Sequence, residues 1–90
     1  MATDAQHLVI TGKVQGVGFR PFVFRHAHEL NLSGWVRNCT GQVEVHIEGE
    51  TGLVDQFSNT LVTAAPAISD PLIVSTRPGK VAGYKDFRIL

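Results

Sequence analysis

HLVITGKVQGVGFRPFVFRHAHEL, residues 7–30, changes its apolar period partway along, and that change decides the fold. His7 to Val14 alternates imperfectly and is rich in β-branched residues, which reads as a strand. Gly16 and Gly18 then mark a tight loop. Pro21 suits the first turn of a helix, where its missing N–H costs nothing. Phe22, Val23, Ala27 and Leu30 follow at spacings of one, four and three, an apolar stripe at helical period. Asn31 can close that helix in a left-handed conformation, with Leu32 folded back onto it.

Outward from this strand–turn–helix unit, Gly34 to Arg37 and Gln42 to Glu48 read as the next two strands, joined near Asn38-Cys39-Thr40-Gly41. In the second of them Val43, Val45 and Ile47 alternate with Glu44, His46 and Glu48. That pattern predicts one buried and one wet face, as in an antiparallel sheet covered by helices on one side. A second helix is expected over Leu53 to Val62, its stripe formed by Leu53, Val54, Phe57 and Leu61. Leu72 to Arg77 reads as a strand, and Pro71 at its start suggests a sheet edge. Gly79 to Gly83 reads as a loop and Asp86 to Leu90 as a short closing strand. The order β-α-β-β-α-β plus a short terminal strand is the ferredoxin-like α+β arrangement, an antiparallel sheet with two helices on one face. It hosts many unrelated activities, so the order by itself assigns none.

Ninety residues, 43% of them hydrophobic, fit one ordered domain over residues 1–90, with no internal linker. Net charge is zero, so nothing global points to nucleic acid or to an anionic membrane. Between Ala5 and Val43, however, four basic residues (Lys13, Arg20, Arg25, Arg37) face one acid, Glu29. An anion site is therefore sought in the first half. The one cysteine, Cys39, cannot form an intramolecular disulfide, and no signal peptide or long apolar run is present. A soluble, cytoplasmic protein is the expectation.

The loop offers a place for such an anion. Peptide N–H groups at a helix start have no intrahelical partner, and the helix dipole adds positive charge there. Glycines before the helix let further N–H groups converge on an anion. Arg20 adds a cation able to make paired hydrogen bonds to phosphate oxygens. A bland strand–turn–helix connection uses glycines too, and an arginine near a helix start is often merely solvated. Gly16-Val17-Gly18 lacks the third glycine of a dinucleotide-binding motif, where Pro21 stands, and no G-K-[ST] follows.

Gly12-Lys13-Val14-Gln15-Gly16-Val17-Gly18-Phe19-Arg20, with Leu32-Ser33-Gly34-Trp35-Val36-Arg37-Asn38 and Gly41-Gln42-Val43-Glu44-Val45, resembles the acylphosphatase family over nearly the whole chain. The resemblance implies hydrolysis of the carboxyl–phosphate bond of acyl phosphates without a metal or other cofactor. It also implies that the loop residues Gln15, Gly16, Val17, Gly18, Phe19 and Arg20 bind phosphate, that Arg20 is catalytic, and that Asn38 positions the attacking water. Arg20-Pro21-Phe22-Val23 is similar, more narrowly, to the N-terminal domain of the carbamoyltransferase hydrogenase maturation factors, which use carbamoyl phosphate. Single-domain acylphosphatases commonly carry another residue in place of Pro21. The zinc-finger cysteines and later domains of those factors have no counterpart here, so this second resemblance implies an excised first domain and further domains as partners. Three readings remain open: an active acylphosphatase, a carbamoyl-phosphate-handling module of a larger protein, and a non-catalytic anion-binding domain.

Other chemistry-bearing residues read more plainly. His26 and His28 are two apart on a helix and point to different sides, and His7, His46 and Cys39 offer no ligand spacing, so no metal is expected. Cys39 reads as a small hydrophobe sooner than as a reactive thiol. Phe19, Phe22, Phe24 and Trp35 read as core or site wall. An RNA-binding sheet would carry aromatics among basic residues on its exposed face, whereas Gln42 to Glu48 is expected to expose two glutamates.

Overall fold

The structure, a computed structural model, describes residues 2–13, 18–65 and 70–90, leaving the side chains of Lys13 and Asp70 aside. Strand β1 (Thr3–Lys13) is followed by helix α1 (Phe19–Glu29), a β2–β3 hairpin (Ser33–Cys39, Gln42–Glu50), helix α2 (Thr51–Thr60), and strands β4 (Asp70–Pro78) and β5 (Phe87–Ile89). They form one five-stranded sheet in the order β4-β1-β3-β2-β5. The first four strands pair antiparallel, whereas β5 adds to β2 in parallel and makes the sheet mixed. The fold is the ferredoxin-like α+β arrangement expected from the element order, with β4 at the edge that Pro71 suggested.

One face of the sheet is apolar because alternate residues put it there. Leu8 and Ile10 of β1 lie opposite Val45 and Val43 of β3, and Val36 of β2 continues the row. All five are fully buried. Phe19, Phe22, Val23 and Ala27 of α1 close over them, together with Val54 and Phe57 of α2 and Leu61 just beyond it. Helix α1 packs against β2 and β5, and α2 against β1 and β3. Gln6 ties β1 to α2 through hydrogen bonds with Asp55 and Ser58.

Turns fix the registers. At the end of α1, Asn31 takes φ 56°, its N–H donates to His28 O at 3.1 Å, and the N–H of Leu32 donates to Ala27 O at 2.9 Å. These are the two bonds of a Schellman cap, and Leu32 drops into the core as expected. In the hairpin, Cys39 pairs with Gln42, and Thr40 and Gly41 between them both have positive φ (41° and 77°). A two-residue turn of that hand matches the twist of the flanking strands.

The expectation of a wet second face on β3 is overturned along its second half. His46 and Glu48 are buried there, and even Glu44 is largely covered. The cause is the segment following β4, which crosses the helix-free face: Gly79 donates its N–H to Ala5 O, and Glu48 accepts the N–H groups of Ala82, Gly83 and Tyr84 at 2.7, 3.0 and 3.1 Å. His46 Nε2 lies 2.8 Å from the same carboxylate. A carboxylate bonded four ways can be buried in place of an apolar side chain.

Candidate active site

Helix α1 begins at Gly18, whose φ of 76° and ψ of 18° are left-handed, a conformation open to glycine at little cost. Having no side chain, Gly18 caps nothing, and no acidic residue stands in the first turn. Its carbonyl already accepts Phe22 N–H at 3.1 Å. Pro21 contributes no N–H, so the donors facing outward in this turn come from Gly18, Phe19 and Arg20. Phe19 is 1% exposed and belongs to the core, so of this residue only the backbone is available to a ligand. Its burial also anchors the helix start.

Arg20 is half-buried, and among the described residues it has no carboxylate or hydrogen-bond partner. Arg37 is the contrast. Its Nε and Nη2 donate to Glu44 Oε1 at 3.2 and 3.0 Å, and its guanidinium lies 5.0 Å from the Trp35 ring centroid. Of these two cations in the first half of the chain, Arg20 is the one left uncommitted.

The topology brings Asn38 to the same end of the molecule. The chain reverses at Asn31, so α1 runs antiparallel to the β2 strand beneath it, and the start of α1 overlies the end of β2. Asn38 pairs with Val43, which pairs in turn with Ile10 near the end of β1. It therefore stands on the helix-covered face of the sheet, yet it is exposed because the strand projects past the core. Cys39, next along the strand, points to the opposite face. A hydrogen bond to Glu44, and that carboxylate's charge, push its thiol up, so it stays protonated and a poor nucleophile. Of the expected site residues, Gly18, Phe19, Arg20 and Asn38 thus gather at one end of the sheet; Gln15, Gly16 and Val17 lie outside the described residues.

Among the described residues no cluster of three His, Cys, Asp or Glu could hold a metal ion, and no helix is long and apolar enough to cross a membrane. His26 and His28 do diverge: His26 meets Thr60 Oγ1 at 2.8 Å between the helices, while His28 stacks on Phe24 outside. Trp35, read from sequence as core or site wall, instead joins His46 and Tyr84 in a ring cluster on the helix-free face; the signal for it was that Trp35 and His46 take strand positions that alternate with the core, whereas Tyr84 comes from the segment between β4 and β5.

Fold and site together define a ferredoxin-like α+β protein with a glycine-started helix that has no side-chain cap, and an arginine there without a partner among the described residues. Comparison with known proteins narrows the class. Residues 6–89 match the acylphosphatase family, and the chain belongs to that family. It is similar to an acylphosphatase of Chlorobaculum tepidum, 40% identical over 92 aligned positions that take in 100% of this chain and 99% of the relative. The structure of an acylphosphatase from Coxiella burnetii superposes with a TM-score of 0.90 at 35% identity, over 98% of this chain and 93% of that one. A probable carbamoyltransferase HypF of Methanocaldococcus jannaschii is 41% identical over 83 residues, 90% of this chain but 11% of the relative. The chain is thus an enzyme of the acylphosphatase type, and its fold recurs as a small part of a much larger protein.

Proposed function

We propose that this chain hydrolyses the carboxyl–phosphate bond of acyl phosphates, with the phosphoryl group held at the start of α1 and Asn38 holding the attacking water. The observation that carries this reading is Arg20, a half-buried arginine without a partner among the described residues, beside a helix start with no side-chain cap. A phosphoryl group supplies what both lack: oxygens for the N–H groups and a charge for the guanidinium. The proposal extends phosphate binding to the loop residues Gln15, Gly16 and Val17 along with Gly18, Phe19 and Arg20.

In the reaction, water oxygen bonds to phosphorus as the phosphorus–oxygen bond to the acyl group breaks. The carboxylate leaves with the electron pair, and the proton lost by the water passes to phosphate or solvent. Carboxylates are good leaving groups, so no strong general acid is needed. The N–H groups and Arg20 stabilise charge spread over the phosphoryl oxygens, and Asn38 contributes by positioning. No step calls for a metal, and the free Cys39 fits a reducing, cytoplasmic setting.

The test is hydrolysis of an acyl phosphate by the purified chain, with chelator present, beside Arg20→Ala and Asn38→Ala. Turnover by the parent and a loss on the order of 100-fold in Arg20→Ala are expected. Near-parental turnover in a folded Arg20→Ala would overturn the assignment.

A second reading, that the chain handles carbamoyl phosphate as one domain of a larger protein, is favoured by one observation. The HypF relative matches at 41% identity while the chain spans 11% of its length, and Pro21-Phe22 is the local feature in keeping with it. Carbamoyl phosphate hydrolysed well ahead of other acyl phosphates would support this narrower substrate.

A further inference from the structure

The helix-free face holds an open groove of about 730 Å³, on the opposite side of the sheet from the Asn38 side chain, with Trp35 and Arg37 on its floor and Tyr84, Lys85, Asp86 and Arg88 along its wall. Its volume falls in the range of small-molecule sites. We propose that this groove is a second binding site, which takes a small planar anion of the nucleoside-phosphate class.

The groove is built, not incidental. Its wall is the segment that crosses the sheet, pinned at Gly79 to Ala5, at Ala82 to Tyr84 by the buried Glu48 carboxylate, and at Asp86 by the N–H of Gly34 donating to its carbonyl at 2.9 Å. Backbone held at three points leaves the wall side chains already presented, which lowers the ordering cost of binding. Trp35 is held as well: His46 stacks on it at 5.9 Å between centroids, His7 meets it edge-on at 5.8 Å, and Arg37 sits over the ring. With His46 and Arg37 already against the indole, the ring open to a ligand is that of Tyr84, 44% exposed, which meets His46 edge-on at 5.6 Å.

Charge selects the rest of the ligand. Of the side chains that line the groove, three are cations and only Asp86 is an anion. Arg37 is committed to Glu44. Lys85 has no carboxylate partner among the described residues, and the Arg88–Asp86 pair is 70% and 61% exposed. An ion pair so exposed contributes little, so Arg88 can exchange Asp86 for a phosphate without loss. A ring against Tyr84 and a phosphate between Lys85 and Arg88 satisfy both features at once, close enough to Trp35 to alter its emission.

Trp35 is the one tryptophan of the chain, and its fluorescence reads this groove directly. The probe is adenosine 5′-monophosphate, titrated into the parent and into Arg20→Ala, in which the α1 site is lost. Saturable quenching is expected, unchanged in Arg20→Ala and weakened about tenfold or more in Lys85→Glu/Arg88→Glu, the order expected for losing charged hydrogen bonds. Both substituted side chains are exposed, and circular dichroism checks the fold of the variant. Amide shifts on adding the probe should fall on residues 34–37 and 84–90. No quenching, quenching that survives the double substitution, or shifts confined to 18–20 and 38 would each overturn the proposal. So would binding of a glutamate-rich peptide in place of the nucleotide, which would make the groove a peptide site. Because Arg20→Ala separates the two sites, failure here leaves the hydrolytic reading standing.

Discussion

Arg20 and Arg37 carry the same charge and differ in what binding would cost them. Arg37 would have to leave Glu44 and Trp35, whereas Arg20 leaves no protein partner among the described residues. Binding to Arg20 therefore displaces no partner among the described residues, and its planar fork can hold two phosphoryl oxygens. Replacement by lysine keeps the charge and removes the fork. Arg20→Lys is expected to lower kcat of acyl-phosphate hydrolysis by about tenfold while leaving thermal stability unchanged. Steady-state kinetics and a melting curve check both halves, and an unchanged kcat would reduce Arg20 to a point charge. The sequence singled out Arg20 and Asn38 as candidates through motif spacing, since neither burial nor pairing can be read from letters alone. It made Glu48 illegible for the same reason. A glutamate alternating with valines looks solvated, and only the distant segment 79–86 turns it into a buried anchor.

That anchor acts on an element, the crossing segment, and its strength depends on ionisation. Burial pushes the Glu48 carboxyl up, but hydrogen bonds from Ala82, His46, Tyr84 and Gly83 outweigh burial and leave it below its ordinary 4.5. A depressed folded pKa means stability that is fully present above 4.5 and lost as pH falls through the folded value. Glu48→Gln should cost about 1–3 kcal/mol at neutral pH, because the amide replaces an acceptor with a donor facing N–H groups. The gap between variant and parent in urea midpoint should close towards low pH; a gap independent of pH would show that packing, not charge, holds the segment. The β2–β3 hairpin is stricter still. A Cβ on Gly34 would stand 1.9 Å from the backbone oxygen of His46, and its φ of 132° is unfavourable for any side chain. Gly34→Ala is therefore expected to destabilise the fold by about 3 kcal/mol, measured by urea denaturation. Strand and helix identities were legible from period, and the Asn31 cap from a single residue. The ends of β1 and β3 were not: Thr3 to Gln6 is polar and short of pattern, and becomes strand because Glu50 to Ile47 lies alongside it.

At the scale of the whole molecule, the two helices share one core but touch the sheet through different strands, so something must hold them to each other. His26 does part of this. It stacks on Phe22 within α1 at 5.5 Å, leans on Phe57 of α2 at 5.1 Å, and shares a hydrogen bond with Thr60 Oγ1. Burial lowers its pKa below the ordinary 6.5, with Glu29 opposing weakly. The folded state thus resists a proton that the unfolded chain accepts. Stability is full above 6.5 and falls as pH drops below it, a decline that begins at higher pH than that of Glu48, which begins below 4.5. Between pH 7 and 5 the melting temperature should decline in the parent and decline less in His26→Gln, which removes the titrating ring and keeps a polar atom for Thr60. The α1 start is carried on that same helix, so loosening between α1 and α2 would also displace the proposed phosphate cradle from Asn38. Hydrolysis by the parent should weaken over the same interval in which the melting temperature falls, and His26→Gln should blunt both declines together. Parallel pH profiles in parent and variant would instead place the acid sensitivity elsewhere in the sheet.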